Sequence, residues 1–497
     1  MKLTELLAGI GTEPVASKVK ADVTGISADS RSVKPGDLFV AVPGTKTDGV
    51  QFAHEAVKKG AVAVLAEKTI GGLQVPVFTV PSVRKALALA AGNFYGNPAR
   101  ELTMLGITGT NGKTTTAWLT ESICAAGMNN VGLFGTIMVR YGGQTLPATH
   151  TTPDAIELHK TLRAMVDAGV DTVVMEVSSH ALAQERVHGI TFRSAGFTNL
   201  SRDHLDYHKD MEVYFQAKRK LFTENLSPGG LAVVNGDDTY TTRVYNEMKQ
   251  LKRQAWKFSR AGNGELSASN VEFTTKGIKA TLKTPAGDIV IKSSLIGAHN
   301  LDNILCATGI ALAAGASRRD VQDGIERVMR VPGRMDRVEN GGITALIDYA
   351  HTDDALAKAV ESARGVTKGK LIVVFGCGGD RDTGKRPLMG EVAAQADLPI
   401  VTSDNPRSED PDDIIQDIVV GLEKGELRRM SPAKARTGER GYLVEADRKA
   451  AIALAISLAK PGDTILIAGK GHETYQEVKG EKSHFDDLEE ASRALGV

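Results

Sequence analysis

Residues 106–116, Gly-Ile-Thr-Gly-Thr-Asn-Gly-Lys-Thr-Thr-Thr, carry the most concentrated chemistry in the chain. A strict phosphate loop of the G-x-x-x-x-G-K-[ST] type needs glycine at position 107, where this chain has Ile107 with Gly106 and Gly109 to either side. The rest of the stretch suits a nucleotide. Gly109, Thr110, Asn111 and Gly112 supply a turn whose N–H groups can face a phosphate. Lys113 can reach the outer phosphates, and the Thr114 hydroxyl, followed by Thr115, suits Mg²⁺. The plain structural alternative is a glycine turn that merely caps a helix. The apolar strand "LTMLGITG" before the turn and the helical "TTAWLTESICAAG" after it, with a stop at Gly127, favour the phosphate loop.

Two further residues become informative beside that loop. Glu176 ends the apolar run 172–178, and His204 follows the apolar run 194–200. In a parallel sheet both fall at the edge that carries Lys113, where a metal bridging phosphates needs oxygen or nitrogen ligands. Taken singly, Glu176 reads as a helix cap and His204 as a surface histidine. Downstream, His299, Asn300 and Asn303 lie within one helical turn, with Asn300 and Asn303 spaced to share a face. Their amides suit nucleotide or phosphate, and an N-cap role for Asn300 is the alternative.

The elements that must position these residues follow from apolar patterning. Residues 1–98 contain short strand-like pieces at 38–42, 61–67 and 76–80, with a helix "HEAVKKG" among them, and 94–100 reads as a linker. From 99 to 331 apolar strands alternate with helices, which predicts a doubly wound, mostly parallel sheet. "VPGR" at 331–334 marks a second boundary. From 332 to 497 four continuous apolar strands, "ITALIDYA", "LIVVFGCGGD", "LPIVTSDNP" and "DTILIAGKG", each run into a polar turn. Such strands are buried on both faces, and their turns converge on one site beyond the carboxyl ends. The expected fold is α/β in three domains: a small N-terminal α/β unit, a central P-loop-type sheet and a C-terminal Rossmann-like unit.

Composition narrows the function classes. With 497 residues, several domains are expected. Sixty basic residues balance sixty acidic ones, which gives no case for nucleic acid or an anionic membrane as partner. Three cysteines, Cys124, Cys306 and Cys377, are far apart and odd in number, as in a reduced cytoplasmic protein. The N-terminal segment is too short and too quickly broken for a signal peptide, and no apolar run reaches a membrane span.

The loop "GITGTNGKTTT" resembles the ATP loop of the Mur ligase family, cytoplasmic enzymes that add amino acids to a UDP-muramic acid precursor of peptidoglycan; the likeness extends over essentially the whole chain. It implies ATP-dependent amide formation through an acyl phosphate, with Mg²⁺ and a monomeric enzyme. By resemblance Lys113, Glu176 and His204 are catalytic, and Lys218 in "FQAKRKLF" is carbamylated by CO₂ and joins Thr114, Glu176 and His204 around metal. Without the motif, Lys218 reads as a solvated helix face, no better than Arg219 or Lys220. Arg334 in "VPGR", and Asp348 and His351 in "IDYAHTDDAL", match motifs that contact ATP, although Asp353 replaces the usual proline.

"SDNPRSED" at 403–410 resembles the signature of family members that add meso-2,6-diaminopimelate to UDP-N-acetylmuramoyl-L-alanyl-D-glutamate. Arg407, following Asp404, Asn405 and Pro406, is suited to pair bidentately with the distal carboxylate that lysine lacks. Arg381 offers a second cation, and the Gly469 carbonyl and Glu473 suit the distal ammonium. A proline turn before an acidic helix start is the structural alternative for 406–410. By resemblance Ser30, Thr151, Thr152, Ser178, Gln184 and Arg186 contact the UDP-linked dipeptide. The family's polar uracil loop is not matched at 45–49. Three other readings remain at this point: a folylpolyglutamate synthetase, a lysine-adding ligase, and a nucleotide-driven switch that forms no amide.

Overall fold

A computed structural model describes residues 1–12, 21–44, 47–127, 129–274 and 276–497. Among the described residues lie three larger sheets, of four, eleven and six strands, in sequence order, and a small hairpin. The first is parallel and pairs Gly25–Ser27, Asp37–Val40, Ala63–Ala66 and Val77–Thr79 in that order. Leu38, Val40, Ala63 and Leu65 on one face pack with Val83, Ala86 and Ala90 of the helix Val83–Phe94. The expected uracil-loop positions Thr45 and Lys46 lie outside the described residues.

The eleven-stranded sheet is parallel at its centre, where Leu226–Asn235, Phe192–Phe197, Thr103–Thr108, Thr172–Glu176 and Val131–Phe134 lie side by side. Both faces are covered, one by a cluster around Val173, Phe192 and Phe222 and the other by a cluster around Leu105, Ile304 and Leu305. The sequence pattern missed its edges. Antiparallel strands extend it through Met138–Tyr141 and Gln144–Pro147 on one side; on the other, Gln254–Ser259 and Leu266–Thr274 continue it in parallel before Gly277–Lys283 and Ile289–Ser293 turn antiparallel. Gln144–Pro147 is exposed throughout, so it carries no apolar run to read.

The six-stranded sheet places Ile343–Asp348, Thr464–Ala468, Leu371–Phe375 and Leu398–Val401 in adjacent parallel positions. These are the four apolar strands expected from the sequence, and all but the ends of the first are buried. Among the described residues no helix is long and apolar enough to cross a membrane.

Candidate functional site

The strand Thr103–Thr108 leads into the phosphate-type loop, and the helix Lys113–Ala126 begins at the lysine itself. Two glycines are fixed by close approach. Gly109 has φ of 147° and a Cβ there would collide with the Thr198 hydroxyl; Gly112 has φ of 84° and a Cβ would strike the Asn303 amide. The loop is thus held by Thr198 after one strand and by Asn303 from the helix Ala298–Ala314.

Lys113 Nζ turns back onto the loop carbonyls of Gly109 and Thr110, at 3.0 and 2.9 Å. Burial lowers its pKa, opposed by Glu176 and Asp203. Register pairs Ile107 with Glu176 across neighbouring strands, so Glu176 ends beside the loop. Its carboxylate accepts from the Thr114 hydroxyl at 3.0 Å and from the Thr136 amide and hydroxyl at 2.8 and 2.9 Å. Thr114 Oγ1 also accepts from Arg334 at 3.3 Å.

A cavity of about 410 Å³ is bounded by the loop from Thr110 to Thr115, by His204 and Asn303, and by Arg334, Asp348 and His351 of the C-terminal part. The structure therefore brings most of the expected nucleotide residues to one space. Asn300 differs: it is buried behind Asn303, donates to the Ile296 carbonyl at 2.7 Å and accepts from Asn303 at 2.9 Å. Gly297 is the helix cap, which removes the N-cap reading of Asn300.

His204 has φ of 53°, and its Nε2 lies 3.3 Å from the Asp203 carboxylate. Burial pushes the imidazole down to about 3, against the pull of Asp203, so it is neutral and has a lone pair to give. Asp203 itself lines the cavity and was missed in the sequence, although it directly precedes His204. Asp348 accepts from the Met335 amide at 2.8 Å; burial raises its pKa and Arg334 opposes this. His351 Nδ1 sits 2.9 Å from the Tyr349 carbonyl.

Lys218 is no solvated helix face. On the helix Met211–Thr223 it is 1% exposed and donates to the Gly109 carbonyl at 2.7 Å. Its neighbours point elsewhere: Arg219 pairs with Glu247, and Lys220 with Glu185. Direction on the helix thus separates Lys218 from two chemically equal residues.

As donors for a hard cation, Thr114 and Glu176 already converge through shared oxygen contacts, and neutral His204 borders the same cavity. A bare ammonium on Lys218 would repel a cation, so that position fits a metal only once its nitrogen carries a carboxylate.

The expected precursor contacts form a second cluster beyond Glu176. Thr152 is buried and donates to the Glu176 carbonyl at 2.7 Å, while Ser178 N–H donates to Thr152 Oγ1 at 3.0 Å. Arg186 donates to the Thr152 carbonyl and to Gln184, both within 3.1 Å. Thr151 borders the cavity and accepts from Thr136 at 3.1 Å. Ser30, in the turn after the strand Gly25–Ser27 of the N-terminal sheet, is buried and donates to Glu55 at 3.1 Å.

Three of the C-terminal turns lock together. Asn405 donates to Glu473 at 2.8 Å, and the Gly379 amide donates to the Asn405 carbonyl at 2.9 Å. Arg407, at φ of 53°, donates to the Gly379 carbonyl at 2.7 Å and lies 3.8 Å from Glu477. Pro406 packs against Gly379, and Gly469 against Asp404. Arg381 stands apart: exposed, it bonds the carbonyl of its neighbour Asp380. The helix-start reading of 408–410 holds, since Asp410 caps the helix Pro411–Lys424.

Comparison with known proteins adds an independent line. Three family descriptions match in order: "Mur ligase family, catalytic domain" over 22–95, "Mur ligase middle domain" over 107–311, and "Mur ligase, glutamate ligase domain" over 333–471. The UDP-N-acetylmuramoyl-L-alanyl-D-glutamate–2,6-diaminopimelate ligase of Gloeobacter violaceus is 46% identical over 500 residues, covering 100% of this chain and 98% of that one. A solved structure of a ligase of the same name, 31% identical, matches with a TM-score of 0.68 over 95% of each chain. Folylpolyglutamate synthase of Mycobacterium tuberculosis, solved with ADP and AMPPCP, is 20% identical with a TM-score of 0.63. It covers 78% of this chain and 92% of its own, a likeness of fold alone.

Proposed function

The chain belongs to the Mur ligase family, and on that premise we infer that it is the ATP-dependent, ADP-forming ligase that joins meso-diaminopimelate to UDP-N-acetylmuramoyl-L-alanyl-D-glutamate in peptidoglycan precursor synthesis. The observation that carries the amino-acid assignment is the packing of the Asp404–Arg407 turn against Glu473 and Gly379, next to the turn that lines the nucleotide cavity. One guanidinium and one carboxylate on adjoining turns match the distal carboxylate and ammonium of a diamino diacid. Arg381 is exposed and becomes the carboxylate's second partner only by turning inward.

In this reading ATP occupies the cavity with its phosphates on the loop from Gly109 to Thr115. A carboxylate oxygen of the dipeptide attacks the γ-phosphorus, ADP departs, and an acyl phosphate results. The amine of diaminopimelate then attacks the carbonyl carbon, phosphate leaves, and the nitrogen loses a proton. Two anions must meet in the first step, so charge neutralisation dominates the barrier. Lys113 swings from the Gly109 and Thr110 carbonyls to the phosphates, and the free N–H groups of the helix Lys113–Ala126 add partial positive charge. Arg334 brings a further cation from the C-terminal part. Mg²⁺ held by Thr114, Glu176, His204 and carbamylated Lys218 would supply Lewis-acid polarisation of the phosphoryl oxygens.

Thr151, Thr152, Ser178, Gln184 and Arg186 hold the dipeptide, and Ser30 meets the nucleotide end. The divisions 1–98, 99–331 and 332–497 then serve as UDP, ATP and amino-acid units. The protein acts in the cytoplasm as a monomer.

The test is incubation with Mg·ATP and UDP-N-acetylmuramoyl-L-alanyl-D-glutamate, measuring phosphate release and product mass with meso-diaminopimelate, with L-lysine and with neither. A mass gain of one diaminopimelate residue with little response to lysine is expected. Equal use of lysine removes Arg407 as selector, and phosphate release indifferent to any amine overturns the ligase reading.

A further inference from the structure

Beneath the turn that carries Glu473 lies an ammonium that the chemistry above does not use. Lys470 is fully buried. Its Nζ donates to Asn405 Oδ1 at 3.0 Å and to Glu473 Oε2 at 3.5 Å, and lies 3.7 Å from Asp404 Oδ1. The Tyr475 ring closes its other side at 5.6 Å. A buried lysine costs several kcal/mol unless its surroundings repay it, so a fully enclosed one beside a binding turn calls for a role.

We propose that Lys470 is the positioning residue of the diaminopimelate site, fixing the Asn405 amide and holding the Asp404–Glu473 pair at the single net negative charge that one ammonium requires. The proposal rests on the assignment of Glu473 to the distal ammonium.

Two features support it. Asn405 Oδ1 accepts from both Lys470 Nζ and the Glu477 amide, two groups that can only donate. The amide is thereby forced to turn Nδ2 toward Glu473, where it donates at 2.8 Å. The second feature is the count of charges. Glu473 faces Asp404 and Asn405 from one turn, Lys470 from its own, the Tyr349 ring from a third, and Arg448 from the helix Arg448–Leu458. Arg448 is already neutralised by Asp487, at 2.7 and 2.8 Å. That leaves two carboxylates against one lysine. Burial and Asp404 both raise the pKa of Glu473, and Lys470 is the charge that opposes them. Its removal favours the protonated form of Glu473, which attracts an ammonium less.

The test compares Lys470→Met, Lys470→Arg and Glu473→Gln in the full-length enzyme, with KM for each substrate, kcat, and the pH dependence of KM for diaminopimelate between pH 6.5 and 9. Lys470→Met should raise that KM by on the order of tenfold or more at pH 7, with kcat at saturation and KM for ATP changed far less. The defect should shrink as pH rises and Glu473 deprotonates, and Lys470→Arg should restore part of the affinity. A KM for diaminopimelate unchanged in Lys470→Met, or a defect equal for all substrates and flat with pH, overturns the proposal. Glu473→Gln separates the two levels: if it leaves diaminopimelate binding intact, the underlying site assignment fails, whereas a large effect there with none in Lys470→Met removes only the role of Lys470.

Discussion

Lys113 and Lys218 share one acceptor: the Gly109 carbonyl takes a hydrogen bond from each side-chain nitrogen, at 3.0 and 2.7 Å. Two cations around one dipole repel each other, and the more deeply enclosed yields. Burial first, and Lys113 second, hold the Lys218 pKa well below the ordinary lysine range. A neutral amine is the form that attacks CO₂.

Lys218 should therefore carry a carbamate in bicarbonate buffer, seen as a carbamate carbon resonance after addition of ¹³C-bicarbonate and absent in Lys218→Ala. Lys218→Arg, which keeps charge but cannot be carbamylated, should lose at least about a hundredfold in kcat. Full activity in that variant would refute the assignment.

Asp354 ties the nucleotide loop to the C-terminal part. Its Oδ2 accepts from Asn111 at 2.9 Å, from Ser201 at 2.7 Å and from Lys358 at 2.7 Å. Asp354→Ala removes a contact that aligns domains rather than one that builds a core. Steady-state kinetics should show kcat down roughly ten- to a hundredfold, with the urea midpoint little changed. A lowered midpoint with normal kcat would make the residue a stabilising one instead.

Arg407→Ala should leave the distal carboxylate of diaminopimelate unpaired, at a cost of about 2–5 kcal/mol of binding. Arg407→Lys retains the charge but not the bidentate geometry and should recover only part of it. KM for diaminopimelate is the measurement, and wild-type values in Arg407→Ala would sink the selector role.

His159 is 4% exposed, sits where the helix Ala155–Asp167 meets Gly92 of the N-terminal part, and among the described residues has no hydrogen-bond partner on either ring nitrogen. Burial pushes its pKa down to about 4. The unfolded chain binds the proton near 6.5 and the folded chain does not, so stability from this residue is full above pH 6.5 and is lost as pH falls toward 4. His159→Leu should remove on the order of 2 kcal/mol of that loss between pH 8 and pH 5. Urea unfolding at the two pH values checks this, and an unchanged difference would refute it.

Local order alone revealed a good deal here. The phosphate loop is contiguous, and its strand and helix follow it directly, so Lys113 and Thr114 could be placed from spacing. Glu176 could be placed because it ends an apolar strand, and parallel sheets bring strand ends to one edge. The four buried strands of the C-terminal part were legible for the same reason, as continuous apolar runs. The exposed edge strand Gln144–Pro147 was not, since solvent on both faces leaves no pattern.

What only the tertiary structure decided was direction and distance. "AKRK" offers three basic residues in a row, and helix rotation buries Lys218 while Arg219 and Lys220 find acidic partners. Asn300 and Asn303 share a face, yet only Asn303 reaches the cavity because Asn300 is spent on holding it. Lys470 stood in plain view within "AGKGHE" and said nothing, because its partners Asp404 and Asn405 arrive from a distant turn. Sequence fixes which groups are available and, through periodicity, which edge they approach. Burial and pairing depend on segments far apart along the chain, and those set the charge state of each group.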